Sequence, residues 1–583
     1  MNDLLKTLHP YINSLPLNFD TMLKKETIKI LPKTIVCTYG EYVYFGISTA
    51  ISQIFNDNKQ LTLDKNQLLL KFNIDGLQLY KSSSSSVWSI VMQIPCILDC
   101  PVLVGLYIGT NKPCHKILLE SFIDELEQIL RHGILKICDH NYSVNKVLVI
   151  CDAPARAMIK QIKGHSGYFS CERCEVEGTY FQGAVCFDEI SDVLRTDEFF
   201  RQHSNEEHHQ GTSLFERLPI DMITTFVLDS MHLVSLGVMR RLLFFWLTMG
   251  PLHCRLAGFS QITINNNFLN LSSWLPSAFS RKPRPLSEIK KFKATEFHTI
   301  LKYTGVSAFM NVVNDNVFKN YLLLHVGFTI LSSTKFCLKY HQLATKCLRE
   351  FFLNSKEQYG IKFCSYNVHS ILHLSDDVFN HKISLNAMTS YPFENYYIHL
   401  KKSIKSPYLP VRQLIKHVKE GFFSKCRLVK QQCNSLTTLS VMMNGCQTFI
   451  PPNLRCYSIY KSLHISSLVL HSKLCDSFFS DKKNKIYQFL CAIGTPDEPT
   501  IIAVSLPNDA FHDLYTYPCN SSLLHIFAYN GSFYNGTLAP SVKILHINDV
   551  CTKFVCIPHS VNIDQYCFFP LNVNMDDKCE HCI

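Results

Sequence analysis

Three short apolar runs, a helix and a fourth apolar run, with one aspartate ending the first run and another following the last, constrain this chain more than any other feature. The runs LLLKFNID (68–75), VWSIVMQI (87–94) and PVLVGLYIG (101–109) are bounded by Ser, Pro, Asp or Gly, which punctuate strands. Next comes CHKILLESFIDELEQILRHG, where Ile117, Phe122, Leu126, Ile129 and Leu130 fall along one face and Gly133 supplies a stop, so a helix is expected. KVLVICDAPA then reads as a short buried strand ending in a carboxylate. The order β-β-β-α-β predicts an α/β core with Asp75 on its first strand and Asp152 after its fourth.

Two aspartates at the ends of neighbouring strands suit divalent ions, because hard cations take carboxylate oxygens held rigidly a few Å apart. Singly, each is also an ordinary turn residue or helix cap. It is the placement on the first and fourth strands of one run that joins them.

At 583 residues the chain exceeds what one hydrophobic core holds, so two to four units are expected. Residues 1–60 read as a lead-in and 61–180 as the first part of the core. Residues 181–375 form an α-helical insertion, with stretches such as LDSMHLVSLGVMRRLLFFWL. Residues 376–430 hold the last core helix and a basic block. From 431 to 583 strand runs and turn signals such as FAYNGSFYNGTLAP predict a β-rich C-terminal domain.

With 47% hydrophobic and 18% charged residues, disorder is excluded. The 25 cysteines are odd in number, and MNDLLKTLHPYINSLPLNFD lacks a secretory pattern. A reducing compartment is therefore expected, despite sequons at Asn141, Asn270, Asn520, Asn530 and Asn535. No membrane span is expected: Gln93, Pro95, Asp99 and Pro101 interrupt the most apolar stretch, Val87 to Gly109, before it reaches about 20 residues.

The net charge of +10 is concentrated: nine basic residues and one acid, Glu420, lie between Lys401 and Lys430. Such a block is either a solvated helical face or a phosphate-binding surface.

Cys171 and Cys174 in CERC have zinc-ligand spacing but are half of a site, since zinc takes four ligands. His369 and His373 in NVHSILHL, at i and i+4 on an expected helix, would complete a Cys2His2 set; the alternative is a pair of partly buried helix histidines. Zinc there would be structural and would pin together the two ends of the helical insertion. Glu394, in TSYPFENYYIHLKKSIK, opens a helix that leads into the basic block. A glutamate at a helix start is also a favourable partner of the helix dipole.

The ordered combination NIDGLQLYKSSSSSVWSI, VICDAPARAMIKQIKGHSGYFSCERCEVEG, LDSMHLVSLGVMRRLL and YPFENYYIHLKK resembles the transposases of CACTA-type (En/Spm) DNA transposons and their domesticated relatives. The resemblance runs from about Tyr39 to Lys405. It implies an RNase H-like core, β-β-β-α-β then a C-terminal helix, interrupted by the large α-helical insertion. By it, Asp75, Asp152 and Glu394 are a DDE triad binding two Mg2+ or Mn2+ ions, and Asp229 with His232 is the DxxH motif of the insertion. On one helix face that last pair would also form an ordinary buried hydrogen bond.

The Cys171, Cys174, His369 and His373 arrangement is similar to the zinc site of the vertebrate antigen-receptor gene recombinase, a descendant of a related transposase. Lys401, Lys402 and Lys405 would hold the backbone of double-stranded DNA. The resemblance further implies a nuclear homo-oligomer that cuts and joins DNA strands. No zinc finger or helix-turn-helix is recognisable ahead of the core, so end recognition is expected to fall to a partner protein or to a part of the chain lost by truncation. The second expectation is a domesticated, catalytically silent protein that binds DNA or other proteins through the same scaffold.

Overall fold

A computed structural model of the chain describes residues 5–7, 9–12, 33–37, 39–56, 67–78, 85–95, 101–137, 140–406, 408, 410–419, 440–441, 450, 458–465, 468–494, 499–534, 542–559 and 564–571. They form a mixed α/β structure with a helical region and a β-rich C-terminal sheet, divided into two compact units. The first unit is residues 1–146, 217–219 and 392–428; the second is 147–216, 220–391 and 429–583.

In the first unit a hairpin of β1 (Lys33–Cys37) and β2 (Gly40–Tyr44) precedes helix α1 (Ile47–Asn56). Then come β3 (Gln67–Gln78), β4 (Ser86–Gln93), β5 (Val102–Gly109), helix α2 (His115–His132), β6 (Ile134–Ile137) and β7 (His140–Cys151). The sheet order is β1-β2-β5-β4-β3-β7, with β6 also on β7. Strand β5 is buried at every position, as a central strand covered on both faces must be. The three expected strands are all present, and β3 runs three residues beyond the expected end, so Asp75 lies within it, opposite Ser89 of β4.

Helix α2 buries Leu118, Leu119, Phe122, Ile123, Leu126 and Ile129, and Gly133 ends it at φ 64°, a left-handed conformation that favours glycine. Ile117 and Leu130 flank this stripe, half-buried. The region expected only as a lead-in supplies the edge hairpin and α1. Glu125 of α2 secures that start: one carboxylate oxygen accepts from Tyr44 (2.6 Å) and Ile47 N (2.8 Å), the other from Ser48 N (2.8 Å). It thereby satisfies backbone donors that the first turn of α1 would leave bare. Arg217, returning to this unit, pairs with Glu127 (2.6 Å) and Asp124 (2.8 Å) of α2.

The chain passes into the second unit within β7, whose end lies parallel to β10 (Phe226–Leu228), after α3 (Ala153–Lys160) and the hairpin β8 (Thr179–Phe181) and β9 (Ala184–Cys186). The helical region follows: α4 (Met231–Met249, largely wide π turns), α5 (Gly258–Leu271), α6 (Asp315–Leu331) and α7 (His341–Tyr359). Helix α6 is buried nearly all round, which makes it the core of the region. Gly327 lets α7 approach, since a Cβ there would come within 2.9 Å of Leu348. Among the described residues α4 alone is long and apolar enough to cross a membrane, and 56% of its apolar window is buried within the protein.

Among the described residues eleven strands between Ser440 and Leu571 form the C-terminal sheet, with antiparallel pairs throughout its assigned registers. It packs on the helical region through buried polar contacts. Asp476 accepts from Ser277 N (3.1 Å) and pairs with the buried Lys553, while the rings of His325 and Tyr515 bond at 3.1 Å.

Candidate metal centre

Cys171 and Cys174 lie in the loop after α3; His369 ends a short helix, Tyr366–Ser370, and His373 closes the 3-10 turn after it. All four are buried, and their ligand atoms lie within 4.8 Å of one another. The sulfurs are 3.5 Å apart, Cys174 Sγ is 3.3 Å from His369 Nε2, and Cys171 Sγ is 3.7 Å from His373 Nε2. A tetrahedral zinc with bonds of about 2.3 Å to sulfur and about 2.0 Å to nitrogen would separate its ligand atoms by roughly 3.3–3.8 Å. The donor set and its spacing therefore fit a zinc ion. No other group of three or more His, Cys, Asp or Glu close enough to share an ion occurs among the described residues.

Burial opposes a thiolate at Cys171, but the Cys174 thiol donating to it and the His373 ring beside it hold its pKa well below the ordinary value. Cys174 is pushed up by that same bond and by burial. Metal binding there would release the thiol proton. Asp376 stands 3.7 Å from His373 Nδ1, where it can orient the ring.

The two residues between the cysteines are buried and ion-paired. Glu172 accepts from Arg156 (2.8 Å) and Lys160 (3.2 Å) of α3, and from the Tyr366 hydroxyl (2.9 Å). Arg173 pairs with Asp377 (3.0 Å) and donates to Phe226 O (2.6 Å); Asp377 also accepts from Leu228 N (2.7 Å). The knuckle is therefore tied to α3, to β10 and to the helix beyond His373, whether or not it holds metal. Sequence reading missed these partners. The available signal was an acid and a base inside a CxxC within an apolar fold.

Asp152 caps α3, its Oδ1 accepting from Ala155 N at 2.8 Å, so the ordinary capping role is real. Asp75 Oδ1 accepts from Gly76 N (2.7 Å). Glu394 sits in the first turn of the helix Tyr391–Ser403. Asp75 and Glu394 belong to the first unit and Asp152 to the second.

Asp229 is buried and accepts from His232 Nδ1 (2.6 Å), from the backbone of Met231 and His232, and from Ser390 N (2.8 Å). Burial opposes its ionisation, but His232 and these backbone donors hold its pKa below the ordinary value. Asp229 precedes α4, so the pair bonds across the start of that helix and not along one of its faces, and the same carboxylate also accepts from Ser390 N.

Lys401, Lys402 and Lys405 are exposed, as are Arg412 and Lys416; Lys401 Nζ also donates to Gln78 O (2.8 Å). Glu420, Lys425, Arg427 and Lys430 lie outside the described residues.

Residues 443–571 match a domain of unknown function, DUF8592. None of the curated proteins matches the chain. The matched segment covers the C-terminal sheet except its first strand, Ser440–Val441, and it contains neither the Cys2His2 cluster nor the three carboxylates.

Proposed function

We propose that this chain is a DDE-type DNA transposase, catalysing metal-dependent strand cleavage and strand transfer on an RNase H-like core interrupted by the helical insertion. One bond carries the reading furthest. In the first unit the Tyr397 hydroxyl meets Asn73 Oδ1. Asn73 and Asp75 project from the same face of β3, because strand side chains alternate with period two. Glu394 and Tyr397, at i and i+3, share one face of their helix. The bond therefore brings the helix bearing Glu394 onto the face of β3 that presents Asp75.

By the resemblance Asp75, Asp152 and Glu394 are the residues that would hold Mg2+ or Mn2+; all three are partly buried hard-oxygen donors, and they are not among the groups of described residues that already lie close enough to share an ion. Bound there, the ions would activate water or a 3′-hydroxyl and stabilise the leaving oxygen of an in-line displacement at phosphorus. The protein's own part is to fix the carboxylates: Gly76 N orients Asp75 and Ala155 N orients Asp152. Asp229 anchors Ser390, at the entry to the Glu394 helix. The exposed Lys401, Lys402 and Lys405 suit the phosphate backbone of duplex DNA, where they set affinity and salt dependence and leave sequence choice to other contacts. The Cys2His2 cluster, carrying zinc, has a structural part. A nuclear homo-oligomer, with a separate protein recognising the DNA ends, completes the reading.

Strand transfer tests it. Purified protein with Mn2+ should join a labelled, pre-cut DNA end to a plasmid, and Glu394→Gln should abolish the joining. Equal joining by the parent and Glu394→Gln would overturn the assignment.

A further inference from the structure

We infer that the loop from Arg281 to Lys293, in the second unit, is a contact for the phosphate backbone of duplex DNA, distinct in sequence from Lys401, Lys402 and Lys405 of the first unit. This rests on the proposed action of the chain on DNA, and it requires no ion at any of the three carboxylates.

The loop keeps its positive charge unneutralised because a single arginine takes up its acids. From Arg281 to Glu296 stand six cations and two acids. Both acids go to Arg284: Nη1 pairs with Glu288 Oε2 (3.0 Å), Nε with Glu296 Oε1 (2.7 Å) and Nη2 with Glu296 Oε2 (2.9 Å). Arg281, Lys282, Lys290, Lys291 and Lys293 are exposed, and among the described residues none of the five forms an ion pair.

The backbone of the loop is pinned. Arg284 Nη2 also donates to Lys291 O (2.9 Å), which closes the loop on itself. Leu286 and Ile289 are buried at i and i+3 of the 3-10 turn Leu286–Lys291, so they share one side of it, and Phe292 is buried beyond them. Leu286 N donates to Asn265 Oδ1 of α5 (2.8 Å), Lys282 Nζ to Leu275 O (2.6 Å) and Lys293 N to Glu296 Oε2 (2.8 Å). Cations on a pinned loop have less freedom to lose on binding. The kind of partner follows from what this surface lacks. Among the described residues from Asn270 to Cys337 no large apolar side chain is exposed. A protein interface is anchored by aromatic or apolar side chains, and a membrane surface takes up an apolar face. A phosphate backbone needs only cations, which displace its condensed counterions.

The test is the affinity of the full chain for a short fluorescein-labelled DNA duplex, read from anisotropy over a series of salt concentrations, with thermal unfolding measured on each sample. One variant carries Lys290→Gln with Lys291→Gln, and a second carries Arg281→Gln with Lys293→Gln. The control, Lys482→Gln with Lys483→Gln, removes the same charge from exposed positions of the C-terminal sheet. Each loop variant should bind roughly tenfold more weakly at about 0.1 M salt, and its slope of log affinity against log salt should be shallower by about 1–2, since each phosphate contact contributes about 0.9. The control should match the parent. Folded loop variants that bind like the control, while the parent binds duplex, overturn this inference and leave the proposed action on DNA standing. A parent with no salt-dependent affinity for duplex overturns both. Loop variants that keep duplex affinity but lose binding to a polyglutamate peptide would assign the loop to an acidic protein and overturn the inference as well.

Discussion

The hydroxyl of Tyr397 donates to the carboxamide oxygen of Asn73, and both side chains are buried. Asn73 lies two residues before Asp75 and Tyr397 three after Glu394, so this bond aligns the elements that carry two of the three carboxylates. Tyr397→Phe removes the hydroxyl that donates to this buried amide oxygen, which costs about 1–3 kcal/mol. Urea denaturation should show the loss as a lower midpoint with an unchanged slope. A midpoint equal to the parent's would mean the two groups do not meet.

Arg173 and Asp377 form a second, fully buried link. Asp377→Ala strands the guanidinium and removes the acceptor of Leu228 N, an expected loss of about 3–5 kcal/mol. Asp377→Asn keeps an acceptor oxygen for Leu228 N and should lose less. Equilibrium unfolding of the two variants measures the difference, and equal stability in both would remove the charge from the account.

Zinc is the next expectation. The purified chain should carry it, and the double variant Cys171→Ser, Cys174→Ser should lose it. Because the ligands must shed protons to bind, affinity should fall as pH falls. Zinc content unchanged in the double variant would place the metal elsewhere.

Lys302 is buried, and burial pushes its pKa from the ordinary 10.5 down to about 7. A lysine that binds its proton less readily folded than unfolded makes stability fall as pH drops from about 10.5 to about 7, below which both states are protonated. Lys302→Met should therefore stabilise the protein by a few kcal/mol at pH 7 and flatten stability across that window. A parent whose unfolding free energy is already flat between these pH values would contradict the shift.

How much of this was legible in the sequence depends on where each signal resides. Strands β3, β4 and β5 and helix α2 were readable because periodicity and the breakers Ser, Pro and Gly are local. The hairpin β1–β2 was not: Tyr42 and Val43 are buried by pairing with β5, more than sixty residues on, while Val36 stays exposed. The four residues of the Cys2His2 cluster could be named from spacing alone. That Cys171 meets His373 and Cys174 meets His369 could not, because nothing local records contacts across the helical region. Glu172 and Arg173 look like solvent-facing charges in sequence, and their burial follows only from partners on α3 and on the helix after His373. Asp152 and Glu394 sit at a strand end and a helix start as foreseen, whereas Asp75 lies inside β3 because that strand runs on to Gln78. The capping bond of Asp152 belongs to the fold, and the role of the three toward ions belongs to the proposal.

The most direct test of the proposal is Mn2+-dependent nicking of labelled duplex DNA by the full chain, run beside Asp152→Ala. The account predicts nicking by the parent and none by the variant, with zinc content alike in the two and stability lowered only by the lost cap of α3, about 0.5–2 kcal/mol. No nicking by the folded, zinc-loaded parent, or equal nicking by both proteins, would contradict it.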